Sequence, residues 1–246
     1  MDRMLYVAMS GARETLIAQG NASNNLANAN TTGFLADLNQ FRSMPVFGEG
    51  HPTRVYALDE RPQTDFSHGS IMQTGRALDV AVKDGGWIAV QAADGSEAYT
   101  RRGDLRIDAS GVLTTGNGLP VMGNSGPVAL PPFDAIQIGA DGTISIRPQG
   151  APPNELAVID RIKLVAPQYD RMVKGEDGLM RLRDGGEAPA AFEQRLVSGA
   201  LEASNVNIVN EMVEMIELSR RFEMQIKLMK TAEDTAAASA SIVKPI

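Results

Sequence analysis

Apolar residues recur with a helical period at both ends of the chain and with a strand period in between. Within residues 201–234, alternating steps of four and three pick out Ile208, Met212, Met215, Ser219, Phe222, Ile226 and Met229. These positions share one side of a helix at the heptad period of a coiled-coil seam. Val209, Val213 and Ile216 widen the stripe, while Glu211, Glu214, Glu217, Arg220, Arg221, Lys227 and Lys230 cover the other faces. A helix of about 30 residues spans roughly 45 Å at 1.5 Å per residue, which is long for a small domain. Such a stripe needs a partner, and an intramolecular core and contacts between copies fit the pattern equally well.

Residues 2–29 repeat the theme more weakly, with Leu5, Met9, Ala12, Leu16, Gln19, Ser23 and Leu26 on a second heptad seam. Asn21, Asn24, Asn25, Asn28 and Asn30 then crowd its end. Asparagine competes for backbone hydrogen bonds and weakens an isolated helix, so this one is expected to need neighbours, and by composition its Asn-rich stretch reads as a frayed helix end. Thr31-Thr32-Gly33 is expected to stop it, and Ser204–Asn207 to offer a cap for the second helix, which frays in 236–246.

Between the helices the period changes. Residues 35–75 lose periodicity among Pro45, Gly48, Gly50, Pro52, Pro62 and Gly69, with VYAL at 55–58 the one good strand candidate; they read as an extended linker or a thinly packed subdomain. From 76 to 199 short apolar runs alternate with turn residues. Asp84-Gly85, Asp94-Gly95, Asp141-Gly142, Asp177-Gly178 and Asp184-Gly185 are tight-turn dipeptides in which both residues tolerate positive φ. Strands are expected at 78–82, 87–91, 97–101, 105–107, 112–114, 120–122, 128–130, 136–138, 143–147, 156–165, 179–183 and 194–198. The fold class is therefore α+β: an antiparallel β domain (76–199) inserted between terminal helices (1–34 and 200–246) that pair as a coiled coil.

Composition narrows the function classes. The 246 residues carry a net charge of −7 without a basic block, which argues against nucleic acid. Cysteine is absent, so disulfides, thiolate metal sites and cysteine nucleophiles are excluded. No signal-peptide core and no run of 18 apolar residues is present, so neither secretion by a cleaved signal nor a membrane span is expected. His51 and His68 lack metal spacing and read as solvated, and His68-Gly69-Ser70 near Asp65 has no nucleophile-elbow context. Gly116-Asn117-Gly118 lacks the lysine and helix of a phosphate loop, and Glu176-Asp177 sits in a turn. Trp87 reads as a core anchor, and no cofactor or catalytic residue is expected.

Three stretches resemble the bacterial flagellar rod and hook proteins. Ser23–Phe34 (SNNLANANTTGF) is similar to the signature that closes their N-terminal helix. Residues 78–123 resemble their central β module, with an L-D-V-A run, Y-T-R, a D-x-x-G turn and a closing G-x-P-V-x-G. Ser198–Asp234, with SGALEASNV and RRFEMQIK, looks like their C-terminal helix. Together these cover about 95 of the 246 residues in the family's order. Gly86-Trp87-Ile88-Ala89-Val90, where distal-rod and hook members carry G-F-F, leans the resemblance towards the proximal rod.

The resemblance implies a subunit of the basal-body rod, in the periplasm, exported by the flagellum-specific type III apparatus without a cleaved signal. Its partners would be copies of itself and other proximal and distal rod subunits. The implied assembly contacts fall on Leu5, Met9, Leu16, Asn24, Asn25, Leu26 and Asn28 of the first helix. On the second they fall on Ile208, Met212, Met215, Phe222, Ile226 and Met229. Its task would be mechanical, carrying torque and continuing the export channel. The rival class is a periplasmic glycan-binding or glycan-cleaving module on a helical stalk, from which peptidoglycan turnover would separate it.

Overall fold

A computed structural model describes residues 3–45, 55–152 and 155–243, and shows an α+β chain with a helix at each end and a β-rich middle. It divides into two compact units. The first comprises residues 1–29, 36–65 and 206–246, and the second residues 30–35 and 66–205.

The first unit contains α1 (Arg3–Ala27) and, next in the chain, a hairpin of β1 (Asp37–Pro45) and β2 (Val55–Thr64). The segment read as an extended linker or a thinly packed subdomain carries this hairpin among its described residues. In β1 the apolar residues Leu38, Phe41 and Met44 are spaced by three, and a register shift between Leu38 and Gln40 breaks the two-residue period that marks a strand. α1 stops earlier than Gly33: Asn28 turns its amide back onto the Asn24 carbonyl (3.0 Å), the local competition that weakens asparagine helices. His51, Gly48, Gly50 and Pro52 lie outside the described residues.

The chain re-enters this unit as α2 (Ile208–Val243), capped by Asn207, whose Oδ1 accepts the Val209 (3.0 Å) and Asn210 (3.2 Å) amides. α2 does not fray at 236. Its alanine-rich end, Ala236–Ala240 with one serine, has high helix propensity and stays helical to Val243. Asn25 meets Glu211, Ala18 and Ala22 enclose Leu218, and Thr15 meets Gln225. Residue numbers fall on one helix as they rise on the other, so α1 and α2 run antiparallel.

The second unit holds short strands in antiparallel pairs. It begins with β3 (Ile71–Gln73), β4 (Val80–Val82), β5 (Trp87–Gln91) and β6 (Glu97–Thr100). β7 (Arg106–Ile107), β8 (Leu113–Thr114), β9 (Phe133–Ile138), β10 (Thr143–Pro148) and β11 (Ala157–Arg161) follow. β12 (Leu164–Val165), β13 (Met172–Lys174), β14 (Met180–Leu182), β15 (Leu196–Ser198) and β16 (Ala200–Glu202) close it. A five-stranded sheet in the order β12-β5-β6-β14-β13 lies at its centre, with a three-stranded β11-β10-β9 sheet and the pairs β15-β4, β16-β3 and β7-β8.

β5 explains the design. Ile88 and Val90 pack into a cluster with Val80, Leu105, Leu113 and Ile146, while Trp87 and Ala89 pack into another with Tyr99, Val165 and Met180. Successive side chains point to opposite faces, so both faces of the strand are buried and its sequence is apolar throughout. The run expected as one strand at 156–165 divides between two sheets, β11 pairing with β10 and β12 with β5.

The Asp-Gly turns are of two kinds. At Asp84-Gly85 both residues take positive φ (53° and 74°), yet this turn joins strands of different sheets. The hairpins β5–β6, β9–β10 and β13–β14 turn at Asp94-Gly95, Asp141-Gly142 and Asp177-Gly178, where only the glycine has positive φ. There the aspartate caps the backbone two residues on, as Asp141 does with the Thr143 amide (3.1 Å) and hydroxyl (2.6 Å). These hydrogen bonds hold the carboxyls of Asp94 and Asp141 below the usual range, and an Arg181 pair does the same for Asp177.

Candidate functional site

Two features stand out, one in each unit. In the first, the side of α1 that faces α2 is built mainly from small residues, and α2 meets it with larger ones. Ala8, Ala12, Thr15, Ala18 and Ala22 are buried on α1, and Leu218 and Ala232 on α2, with Met215, Phe222, Gln225 and Met229 half-buried. Gly11 completes the close approach, since a Cβ there would stand 2.8 Å from the Gln225 amide nitrogen. Thr15 donates to the Gly11 carbonyl (2.8 Å) and to Gln225 Oε1 (3.2 Å).

Most of the large apolar residues of the heptad reading point elsewhere. Leu5 (40%), Met9 (54%), Leu16 (51%), Ile208 (39%), Met212 (49%) and Ile226 (44%) remain exposed. Tyr6, Ile17, Val209, Val213, Ile216, Met224 and Leu228 join them on the surface. The inward face of α2 follows Glu211, Met215, Leu218, Phe222, Gln225, Met229 and Ala232, a heptad sharing only Met215, Phe222 and Met229 with the one read from the sequence. Side-chain size misled that reading. The stripe of small residues at 8, 12, 15, 18 and 22 was equally periodic and marks the face where the backbones approach.

The asparagines divide. Asn25 is buried and joins three elements: its Nδ2 donates to the Asp37 carbonyl (2.9 Å) and to Glu211 Oε1 (3.3 Å), and its Oδ1 accepts the Asp37 amide (2.9 Å). Asn21 Nδ2 donates to Asn39 Oδ1 (2.6 Å). Asn24 is exposed, and Leu26 and Asn28 are half-buried. Burial, and then the neighbouring Glu214, push the Glu211 carboxyl up against the Asn25 hydrogen bond.

The second feature, inside the β-rich unit, escaped the sequence reading altogether. Arg101 and Glu202 are 0% and 3% exposed and meet at 3.4 Å. Arg101 lies 4.6 Å over the ring of Trp87, itself buried with Phe66 edge-on at 6.2 Å, and directs its guanidinium to the Phe66 carbonyl (3.3 Å) and the Tyr169 hydroxyl (3.5 Å). Glu202 Oε1 also accepts the Gly69 amide (3.2 Å) and faces His68 Nδ1 (3.2 Å). His68 is thus hydrogen-bonded to a buried acid and not simply solvated. Gly33 donates its amide to the Glu202 carbonyl (2.8 Å) at φ 66°, pressed so closely on Arg101 that a Cβ would stand 2.4 Å from its carbonyl carbon. The available signal was a charged residue beside apolar strand residues, Arg101 shortly after Ala98-Tyr99 and Glu202 after Ala200-Leu201.

This cluster has the chemistry of a structural joint. Among the described residues no group of three or more His, Asp or Glu side chains is placed to hold a metal ion. No helix among them is long and apolar enough to cross a membrane.

Three family models match the chain, one at each end and one in the β-rich middle. Residues 5–34 match the family described as flagella basal body rod protein. Residues 81–146 match the flagellar hook protein FlgE/F/G D1 domain, and 197–242 the flagellar basal body rod FlgEFG protein C-terminal family. The chain belongs to the flagellar basal-body rod proteins, a structural family. Within it the chain is similar to FlgF of Escherichia coli K12, at 43% identity over 249 residues and 99% of each chain. FlgF of Salmonella typhimurium LT2 is 42% identical over 95% of each chain, and FlgG of Bacillus subtilis 168 is 29% identical over 95% of this chain and 96% of its own.

Proposed function

We propose that this chain is a structural subunit of the proximal rod of the flagellar basal body, assembling with its own copies and with other rod subunits into a helical tube. The observation that carries the reading is the division of labour on the helices: α1 meets α2 through alanines, and most of the large apolar residues of both helices remain outside. Large apolar side chains left exposed together along a helix mark an interaction site. Repeated heterologous contacts whose rotation does not close generate a helical assembly. Full-length similarity to FlgF at 43% identity, against 29% for FlgG, supports the proximal segment.

In this reading the helices pair as a short coiled coil within domain segments 1–34 and 200–246, with 35–75 and the β domain 76–199 between them. Leu5, Met9, Leu16, Asn24, Leu26, Asn28, Ile208, Met212 and Ile226 meet neighbouring subunits. Asn25, Met215, Phe222 and Met229 serve chiefly the hairpin of their own chain, and Trp87 anchors the β domain. The subunit leaves the cytoplasm through the flagellar type III export apparatus without a cleaved signal, stands in the periplasm, and transmits torque while continuing the export channel. It needs no cofactor and catalyses no reaction. Imaging purified basal bodies with the chain tagged tests this: the tag is expected in the proximal rod, and its absence from the rod refutes the assignment.

A further inference from the structure

The boundary between the two units is crossed by the backbone four times, after residues 29, 35, 65 and 205. On the β-rich side these passages begin or end in three short segments, 30–35, 66–70 and 202–205. All three are fastened together within that unit. The Gly33 amide donates to the Glu202 carbonyl (2.8 Å) and the Asn205 amide to the Phe34 carbonyl (3.3 Å). The Ala203 amide donates to the Ser70 carbonyl (2.8 Å), and Asn205 Nδ2 to the Ser67 carbonyl (3.1 Å). Arg101 reaches the Phe66 carbonyl and Glu202 at once, while Glu202 takes the Gly69 amide and His68.

We propose that Arg101 and Glu202 form a clasp that fastens the entering and leaving segments of the β-rich unit, 66–70 and 202–205 directly and 30–35 through the Glu202 carbonyl, so that they take up mechanical load together. The inference rests on the rod reading and adds the residues that carry the load. Two arguments point to positioning and not to stability. A buried ion pair loses most of its Coulombic gain to desolvation, so apolar side chains of equal volume would hold a core as well. What apolar residues cannot supply is direction. Arg101 directs one guanidinium nitrogen, Nη1, to two separate segments, and Trp87 against the guanidinium fixes its plane. Glu202 Oε1 collects three donors from two more directions. Gly69 and Gly33 allow the approach, since a Cβ on Gly69 would stand 1.9 Å from the Ala203 carbonyl oxygen. Unfastened, the three segments would yield to a pull one at a time.

The test uses the full-length protein. In the Arg101→Met/Glu202→Leu double variant, the Gly33, Gly69, Ala203 and Asn205 amides should exchange hydrogen at least about tenfold faster, while Ile88–Gln91 keep their protection. Unchanged exchange at those four amides overturns the clasp. Should the double variant not fold, Glu202→Gln serves: it keeps the side chain's shape but not its charge, and Gly69 and Gly33 should still lose protection. In cells, the variant should assemble and swim in dilute medium but stall or shed filaments as viscosity is raised. Equal impairment at every viscosity overturns the load-carrying role, because a merely structural defect would not depend on load. A deletion strain that swims normally overturns the rod reading instead and leaves the exchange result standing.

Discussion

Leu218 and Ile216 sit two residues apart on α2, with opposite fates. Leu218 is 3% exposed, enclosed by Ala18 and Ala22, while Ile216 is 55% exposed. Cutting Leu218 to alanine removes the one large side chain of that cluster, and the alanines opposite cannot swell to fill the space. Buried Leu→Ala changes cost about 2–5 kcal/mol, and a cluster at the edge of a thin hairpin belongs at the low end, about 2–3 kcal/mol. Alanine's slightly better helix propensity returns only a few tenths of a kcal/mol. At 1.4 kcal/mol per factor of ten, the open hairpin becomes about 30 to 150 times more populated. Hydrogen exchange of α2 amides in the full-length monomer reads this directly. Ile216→Ser, on the surface, should shift the same amides by no more than about 0.5 kcal/mol and yet block rod assembly and swimming. The reasoning fails if Leu218→Ala leaves α2 protection unchanged, or if Ile216→Ser loosens the monomer as much as Leu218→Ala does.

The other expectations are separate measurements. Glu211 has its carboxyl pushed up by burial, so the ionised form is disfavoured in the hairpin; stability should rise as pH falls through that raised value. Glu211→Gln, which keeps the acceptor for Asn25, should stabilise the hairpin at neutral pH and abolish that dependence in urea melts. Asp141 shows the opposite sign: its depressed carboxyl stabilises above the usual carboxylate range and ceases to do so as pH falls through the lowered value. Asp141→Ala should therefore flatten the acid limb of a β-domain melt. Gly33→Ala, at φ 66° and against unyielding Arg101 backbone, should cost at least about 1–2 kcal/mol and abolish motility, seen as a lowered Tm and non-spreading colonies.

What the sequence made legible followed from local chemistry. Ile136 and Ile138 alternate, as do Ile144 and Ile146, and the two runs pair in register as β9 and β10 across an Asp-Gly turn. Asn207 was among four candidate caps and is the one used. β1 was hidden because its apolar spacing of three is not a strand period. The inward face of α1 was hidden because hydrophobic patterning weights residues by size, whereas helices that approach closely select the smallest. The Arg101–Glu202 pair was hidden for a different reason. Its partners are about 100 residues apart in the chain, and nothing local to either residue announces the other.

The alanine seam of the hairpin has a consequence for how such a protein changes over time. Holding the monomer together uses small residues at 8, 12, 18 and 22, and in the assembly proposed above holding copies together would use the large ones exposed at positions such as 9, 16, 212 and 226. The two demands fall on different sides of the same helices. Outer positions are free to drift towards a new neighbour without disturbing the fold, and inner positions to stay fixed while partners diverge. One hairpin is thereby suited to serve in a lineage of related subunits that share a shape and differ in the company they keep.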